Sequence, residues 1–168
     1  YIGGRYSVLS EVGMLPAQLL GLNEAKFKRF NNLIQNKSFL NSLITNVSFI
    51  SKCVSQGKKN SVILNYDESS ENLFKWYQQL TAESLGKKNK GIFPIISSMP
   101  KDNHSLLQLY LDGPRNNFFT FFGVTNEKTN KLDNSNLFGK FSNLKNKSLS
   151  QIIQAQRQAT QIVFRKKK

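Results

Sequence analysis

A carboxylate and an imidazole that suit proton transfer lie in one stretch of the sequence, between Gln79 and His104. Glu83 follows Gln79 by one helical turn, at the end of an amphipathic run that stops at a Gly-Lys pair. His104 is the only histidine of the chain, and imidazole has the ordinary pKa closest to neutral pH. These residue types predict general acid–base chemistry, although spacing alone does not bring the two side chains together.

The carboxylate Glu83 lies three residues after Leu80, and therefore close to the apolar side of its predicted helix. Partial burial there would raise the pKa of Glu83 and make it a better base near neutral pH. Gln79 shares the helical face of Glu83 and is placed to orient a hydroxyl group of a ligand. The structural alternative is an ordinary helix-terminal glutamate that forms an ion pair with Lys87.

A cation completes the set of candidate residues near the start of the chain. Arg5 directly follows Gly3 and Gly4, where backbone either comes close to another group or adopts a positive φ. A guanidinium beside such open backbone suits a phosphate or a developing oxyanion. Two structural alternatives stay open, because Arg5 could brace the glycine turn and His104 could be a loop or capping histidine.

The elements that would position these side chains alternate between helix and strand. Three continuous apolar runs indicate strands, and apolar residues at helical spacing indicate helices between them. This alternation predicts an α/β fold with a parallel sheet and helices on both faces, whose ligands bind beyond the carboxyl ends of the strands. The predicted strands are Ser61–Tyr66, Gly91–Ile96 and Phe118–Val124, and the last is apolar enough to be central. Helices are predicted around 15–22 (with Pro16 in the first turn), 24–34, 38–56 and 105–111, and from Ser148 onward. A further helix is predicted between a cap at Asp67 or Ser69 and the stop at Gly86-Lys87, with a core stripe of Leu73, Trp76, Tyr77 and Leu80, and 126–146 is predicted as an irregular surface excursion.

The length and composition fit one domain with a single core. The chain has 168 residues, no apolar run of the roughly 20 residues that span a bilayer, and no signal-peptide pattern. The single cysteine, Cys53, is predicted to be a small packing residue, and the compartment to be a cytosol. One histidine and one cysteine do not form a usual zinc site, and no phosphate-binding glycine loop or Gly-x-Ser-x-Gly elbow is present.

The formal net charge of +14 raises the alternative of a nucleic-acid-binding protein. The lysines are scattered among asparagines, and aromatic residues are not interleaved with them as in proteins that bind single strands. This pattern favours a solvated basic surface and predicts no nucleic-acid partner.

Three segments of the sequence resemble the glucose-6-phosphate isomerase family, and they occur in the order found in that family. The first is Gly-Gly-Arg-Tyr-Ser at 3–7 with Val-Gly-Met-Leu-Pro at 12–16, and the second is Gln-Leu-Thr-Ala-Glu-Ser-Leu-Gly-Lys at 79–87. The third is Asp-Asn-His-Ser at 102–105, followed by Gln108 and by Asp-Gly-Pro at 112–114. The resemblance extends more weakly through the last predicted helix, and so covers nearly the whole chain.

The resemblance implies an isomerase that interconverts glucose 6-phosphate and fructose 6-phosphate through a cis-enediol. The implied fold is a three-layer αβα sandwich, the flavodoxin-like sugar-isomerase (SIS) domain. By analogy with the family, Glu83 moves the proton between C2 and C1, Arg5 stabilises the intermediate, His104 assists ring opening, and Gly4 and Gln79 bind substrate. The family supplies the histidine across a dimer interface, so a homodimer is implied. No metal or other cofactor is needed for this reaction, and no membrane is involved.

The same resemblance implies that residues 1–168 form most of a second SIS domain and only part of an active site. The family's first SIS domain, with its phosphate-binding loop, would precede Tyr1, and its catalytic lysine would follow Lys168. We therefore expect little or no turnover from the chain alone. The alternative within the same fold is a non-catalytic module that binds sugar phosphates.

Overall fold

The computed structural model describes residues 2–125 and 144–167 and divides the chain into two compact units. The first unit comprises Tyr1–Lys59 and Trp76–Phe93, and the second comprises Asn60–Lys75 and Pro94–Lys168. The helices are α1 (Glu11–Leu19), α2 (Glu24–Lys28), α3 (Asn31–Gln35), α4 (Lys37–Ser55), α5 (Glu71–Leu85), α6 (Asp102–Ser105), α7 (Leu107–Asp112) and α8 (Leu149–Lys167); the strands are β1 (Asn60–Asn65), β2 (Phe93–Ser98) and β3 (Asn117–Phe122); 3-10 helices span Gly4–Leu9 and Glu68–Ser70.

The three strands form a parallel sheet in the order β2-β1-β3. β1 runs parallel to β3 in a register that begins with Asn60 opposite Asn117. β2 pairs with β1 at both ends, and this makes the pairing parallel. Phe93 N at the start of β2 donates to Lys59 O just before β1, and Met99 N just after β2 donates to Asn65 O at the end of β1, both at 2.8 Å. The α/β class and the three predicted strands are confirmed, with ends shifted by one or two residues.

The sheet of the second unit carries helices on both faces because its strands are apolar on both sides. Phe119 and Phe121 of β3 both pack edge-on against Phe164 of α8, with ring centroids 4.8 and 5.4 Å apart. Phe122 points to the opposite face, as alternate strand residues do, and meets Phe74 of α5 at 4.8 Å. The predicted αβα layering is therefore present around these strands.

The position of β3 differs from the expectation that such an apolar strand is central. β1 occupies the middle of the three described strands, and its Val62 and Leu64 have no exposed surface. β3 lies beside it and is covered by helices instead. Burial on both faces explains an apolar run, and a neighbouring strand on each edge is not required for it.

The helices largely follow the predicted pattern, with corrections in detail. Cys53 is buried, as predicted. In α5 the sequence pattern selects Leu73 for the buried side, but Phe74 is buried and Leu73 is half exposed. Pro16 lies inside α1 rather than in its first turn. The helix predicted from Ser105 begins earlier, at Asp102, and divides into α6 and α7.

The last helix begins with a capping box, which explains its start. Ser148 Oγ accepts the N–H of Gln151, and the side chain of Gln151 accepts the N–H of Ser148, so two otherwise unpaired donors are satisfied. Most of the surface excursion predicted at 126–146 lies outside the described residues. Within 2–125 and 144–167, no helix has both the length and the apolar content needed to cross a bilayer.

Candidate active site

One face of α5 presents the candidate base together with its amide neighbour. Trp76, Gln79 and Glu83 are spaced by three and four residues and therefore project from the same side of the helix. Gln79 Nε2 donates a hydrogen bond of 3.0 Å to Glu83 Oε1. The sequence prediction that these two side chains share a face is confirmed.

The candidate cation meets this face from the 3-10 helix Gly4–Leu9, within the same unit of the chain. Arg5 Nη1 donates to Glu83 Oε2 at 3.1 Å, in an ion pair whose Arg5 and Glu83 side chains are 24% and 48% exposed. Trp76 fixes the backbone at this point, because its Nε1 donates to Arg5 O at 2.9 Å. Trp76, expected to be a core residue, is half-buried and anchors the arginine turn.

The arginine turn is held by its own small residues. Ser7 Oγ donates to Gly4 O at 2.7 Å, inside the turn that carries Arg5. Gly13 of α1 approaches so closely that an added Cβ would lie 1.9 Å from Val8 O, and only glycine fits there. Gly4 has open space around it, with no atom within 4 Å of an added Cβ. A ligand can therefore reach the backbone beside Arg5.

The glycines before Arg5 do not adopt the positive φ that was one of their two expected uses. The glycines with positive φ among the described residues are Gly21, Gly57 and Gly91. Gly3 has φ −60° and ψ 145°, which any residue can adopt. Open access at Gly4 is the feature that the structure supports.

Two side chains that contact Arg5, those of Tyr6 and Ser84, were not singled out from the sequence. Arg5 Nε donates to Ser84 Oγ at 3.2 Å, and the Tyr6 hydroxyl lies 2.9 Å from the same oxygen. The guanidinium carbon of Arg5 lies 4.7 Å from the centroid of the Tyr6 ring. Both residues follow directly after a candidate residue inside the first two family-like segments, and that adjacency was the available signal.

The electrostatics of Glu83 are opposite to the expectation from its sequence position. Its side chain is half exposed, and its pKa is lowered from the ordinary value, first by the hydrogen bond from Gln79 and then by Arg5. Burial was expected to raise the pKa, but the opposing contacts with Gln79 and Arg5 outweigh it. The structural alternative, an ion pair between Glu83 and Lys87, is also not observed, since the carboxylate of Glu83 pairs with Arg5.

The imidazole belongs to the second unit of the chain, whereas Glu83 belongs to the first. His104 is exposed and lies in α6. Asp102 anchors this short helix, because its Oδ2 accepts 2.8 Å hydrogen bonds from Ser97 Oγ and from Ser98 N. The supply of His104 to a neighbouring subunit's Glu83 stays a prediction.

Asp102→Ala is expected to reduce the free energy of unfolding by about 1–3 kcal/mol, because the fully buried Ser97 hydroxyl loses its carboxylate acceptor. Urea unfolding of the purified chain measures this loss. Asp112→Ala is the control, since Asp112 pairs with Lys167 where both side chains are at least half exposed, and such pairs contribute at most about 1 kcal/mol. Equal losses in the two variants would contradict the role assigned to Asp102.

Comparison with known proteins places this chain in a family. No protein-family model matches the chain. A glucose-6-phosphate isomerase of Methanocaldococcus jannaschii is 36% identical over 97% of this chain, and one of Mycoplasma mycoides is 35% identical over 70% of it. A probable glucose-6-phosphate isomerase of Haloquadratum walsbyi is 31% identical over 95%. The chain belongs to the glucose-6-phosphate isomerase family.

The match covers less than half of each of these isomerases. The chain spans 41% of the Methanocaldococcus protein, 29% of the Mycoplasma protein and 38% of the Haloquadratum protein. A crystal structure of a hypothetical protein from Thermus thermophilus agrees in fold, with a TM-score of 0.80 over 98% of this chain and 42% of that one, at 24% identity. The family resemblance and the α/β fold are therefore both confirmed.

The side chains at the site include groups that can take part in proton transfer. Within the part of the chain that the structure describes, no group of three or more His, Cys, Asp or Glu is placed to hold a metal ion. Arg5, Gln79 and Glu83 together offer a base, a fixed positive charge and a hydrogen-bonding amide. Such a set suits removal of a proton next to a carbonyl group.

Proposed function

We propose that this chain forms most of the second SIS domain of a glucose-6-phosphate isomerase, and that its Arg5–Glu83–Gln79 cluster is part of the active site. The observation that carries the proposal is the convergence of Arg5 and Gln79 on the carboxylate of Glu83. Arg5 precedes the other two residues by more than 70 positions and comes from the first family-like segment, whereas they come from the second. The names of the relatives supply the reaction, an isomerisation of glucose 6-phosphate, and the family resemblance supplies fructose 6-phosphate as its product.

In the proposed mechanism Glu83 is the base. It removes the proton from C2 of the open-chain aldose and a cis-enediolate forms. The proton of the C2 hydroxyl passes to the C1 oxygen, and Glu83 returns its proton to C1, which leaves the carbonyl group at C2. Gln79 and Arg5 each occupy one carboxylate oxygen, and an ionised carboxylate has about four acceptor positions in all, so lone pairs remain for the substrate proton. Arg5 then stabilises the negative charge that develops on the substrate oxygens.

The lowered pKa of Glu83 is compatible with a role as base. An unperturbed glutamate is already ionised near neutral pH, and a lower pKa keeps it so in more acidic solution. Such a carboxylate is a weaker base, and the fixed charge of Arg5 offsets this by stabilising the enediolate that the proton transfer produces. The open space at Gly4 leaves room for the sugar beside this charge.

The remaining assignments rest on the resemblance. His104 assists opening of the sugar ring, and it acts on the active site of the other subunit in a homodimer. The reaction serves glycolysis and gluconeogenesis in the cytoplasm. The phosphate-binding loop and the catalytic lysine are contributed from outside residues 1–168.

A coupled assay with fructose 6-phosphate tests the proposal on two proteins, the 168-residue chain and the whole protein that contains it. We expect turnover by the whole protein and little or none by the chain alone. The reason is that the phosphate-binding loop of the family is expected outside residues 1–168. A whole protein without turnover would overturn the isomerase assignment. If fructose 6-phosphate then still raised its melting temperature, the alternative of a non-catalytic sugar-phosphate-binding module would be favoured.

A further inference from the structure

The guanidinium of Arg5 is held by more contacts than its pairing with Glu83 requires. Its Nη1 donates to Glu83 Oε2, its Nε donates to Ser84 Oγ, and its carbon lies 4.7 Å from the centroid of the Tyr6 ring. These contacts use two different N–H groups and one face of the planar guanidinium. Arginine side chains have several rotatable bonds, so each contact removes orientations that would point the cation away from the site.

Ser84 links the other two members of this arrangement. Its Oγ accepts the Nε–H of Arg5 at 3.2 Å and lies 2.9 Å from the hydroxyl oxygen of Tyr6. A serine hydroxyl has one proton and two acceptor positions, so it can accept from Arg5 and still exchange a hydrogen bond with the phenol. The pKa of Tyr6 is lowered, first by this hydrogen bond to Ser84 and then by Arg5. One hydroxyl therefore connects the edge of the guanidinium to the ring on which its face rests.

We propose that Tyr6 and Ser84 are positioning residues for Arg5, which orient its Nη1 edge toward Glu83 and toward the oxygens of the enediolate. The inference rests on the proposed isomerase function, because it concerns the cation of that reaction. Neither residue is assigned contact with substrate. Each acts through Arg5, the ring by supporting the face of the guanidinium and the hydroxyl by fixing Nε.

The backbone explains why these two residues are available at the site. Tyr6 follows Arg5 in the 3-10 helix Gly4–Leu9, and Ser84 follows Glu83 in the last turn of α5. Trp76 Nε1 ties the two elements together through Arg5 O at 2.9 Å. The same turn that brings Arg5 to Glu83 therefore brings the residue after each of them into contact.

Ser84→Ala in the whole protein tests the proposal through the steady-state kinetics of fructose 6-phosphate conversion. We expect kcat to fall about tenfold with little change in KM, because orientation of the cation matters most when the substrate carries developing charge. Ser84→Thr, which retains the hydroxyl, should restore kcat to near the wild-type value. Ser48→Ala, an exposed serine of α4, is the matched control and should leave both constants unchanged.

Two further readouts separate positioning from a merely structural effect. The acidic limb of the kcat/KM profile should move to higher pH in Ser84→Ala, because a displaced Arg5 lowers the pKa of Glu83 less. Tyr6→Phe keeps the aromatic ring and loses only the phenolic hydroxyl group, so it should lower kcat less than Tyr6→Leu does. In the double variant Tyr6→Phe/Ser84→Ala the loss should be smaller than the sum of the two single losses, since both substitutions break the same hydrogen bond between Tyr6 and Ser84.

The possible failures are distinguishable. A wild-type protein that does not convert fructose 6-phosphate overturns the proposed function and this inference with it. A wild-type protein that does convert it, together with a Ser84→Ala variant of unchanged kcat and unchanged pH profile, overturns the inference alone. A loss of kcat in Ser84→Ala that Ser84→Thr does not restore also counts against it, because the hydroxyl is then not the group that matters.

Discussion

Glu83→Gln is expected to lower kcat for fructose 6-phosphate by about 100- to 10,000-fold in the whole protein, the usual contribution of a positioned general base. Glutamine has nearly the shape of glutamate, so the contacts with Arg5 and Gln79 can partly persist and substrate should still bind. An amide has no basic oxygen at neutral pH and cannot take the proton from C1 of fructose 6-phosphate. The expected signature is therefore a large loss of kcat with a KM close to that of the wild type.

The control for this substitution lies on the same helix. Glu71 is exposed in the first turn of α5, and Glu71→Gln makes the same chemical change away from the Arg5–Glu83–Gln79 cluster. It should leave kcat unchanged. The free energy of unfolding should fall by at most about 1 kcal/mol, because the negative charge of Glu71 no longer interacts with the helix N-terminus. Wild-type turnover in Glu83→Gln would remove Glu83 as the base, whatever the result for Glu71.

The parts of the site that depend on local geometry could be predicted from the sequence. Gln79 and Glu83 share a face because one helical turn separates them, and any stable helix through this region would bring them together. Pattern also predicted the buried strand around Val62 and Leu64, since a short continuous apolar run has few other uses. Arg5 was a candidate because it follows two glycines, and the family resemblance assigned it to the same site as Glu83, which no periodicity could do.

The charge balance at Glu83 could not be predicted, because it depends on contacts between distant segments. Sequence position suggested burial and a raised pKa, whereas the structure leaves the side chain half exposed and lowers its pKa through Gln79 and Arg5. The direction of a pKa shift is decided by which of desolvation and charge pairing is larger, and only a three-dimensional arrangement gives both. Tyr6 and Ser84 were not singled out because neither residue type suggests chemistry by itself. Their contacts with Arg5 become visible only in the three-dimensional structure.

The buried side of α5 and the start of α6 are further features that could not be predicted from the sequence. Leu73 and Phe74 are both apolar neighbours in α5, and helical spacing favoured Leu73 for the core. The structure buries Phe74 instead, where its ring meets Phe122 of β3 at 4.8 Å. A rotation of one residue changes which side chain faces the sheet, and only the partner surface decides between them. Similarly, α6 begins at Asp102, before His104, where the Asp102 carboxylate accepts hydrogen bonds from Ser97 and Ser98.

Arg5→Met is the second substitution with a large expected effect, and it should lower kcat by about 100- to 1,000-fold, as removal of one preorganised stabiliser of an oxyanion does. Methionine roughly matches the length of the arginine stem but carries no charge and no donors. Arg5→Lys should give an intermediate loss, because an ammonium keeps the charge but cannot pair with Glu83, donate to Ser84 and lie over Tyr6 at once. Arg29→Met, at an exposed arginine, is the control and should retain wild-type kcat.

The same Arg5→Met variant should change the dependence of the protein on pH in a defined direction. Glu83 has a pKa in the folded protein below its unfolded value, so its contacts stabilise the fold above the unfolded pKa, and this stabilisation is lost as pH falls through the folded pKa. Without Arg5 the folded pKa rises toward the unfolded one, although Gln79 still lowers it. Acid unfolding monitored by circular dichroism should therefore depend less on pH in this window, and the acidic limb of kcat/KM should move to higher pH. An acidic limb that stayed in place after removal of Arg5 would show that a group other than Glu83 controls it, and the assignment of base and stabiliser to this pair would fail.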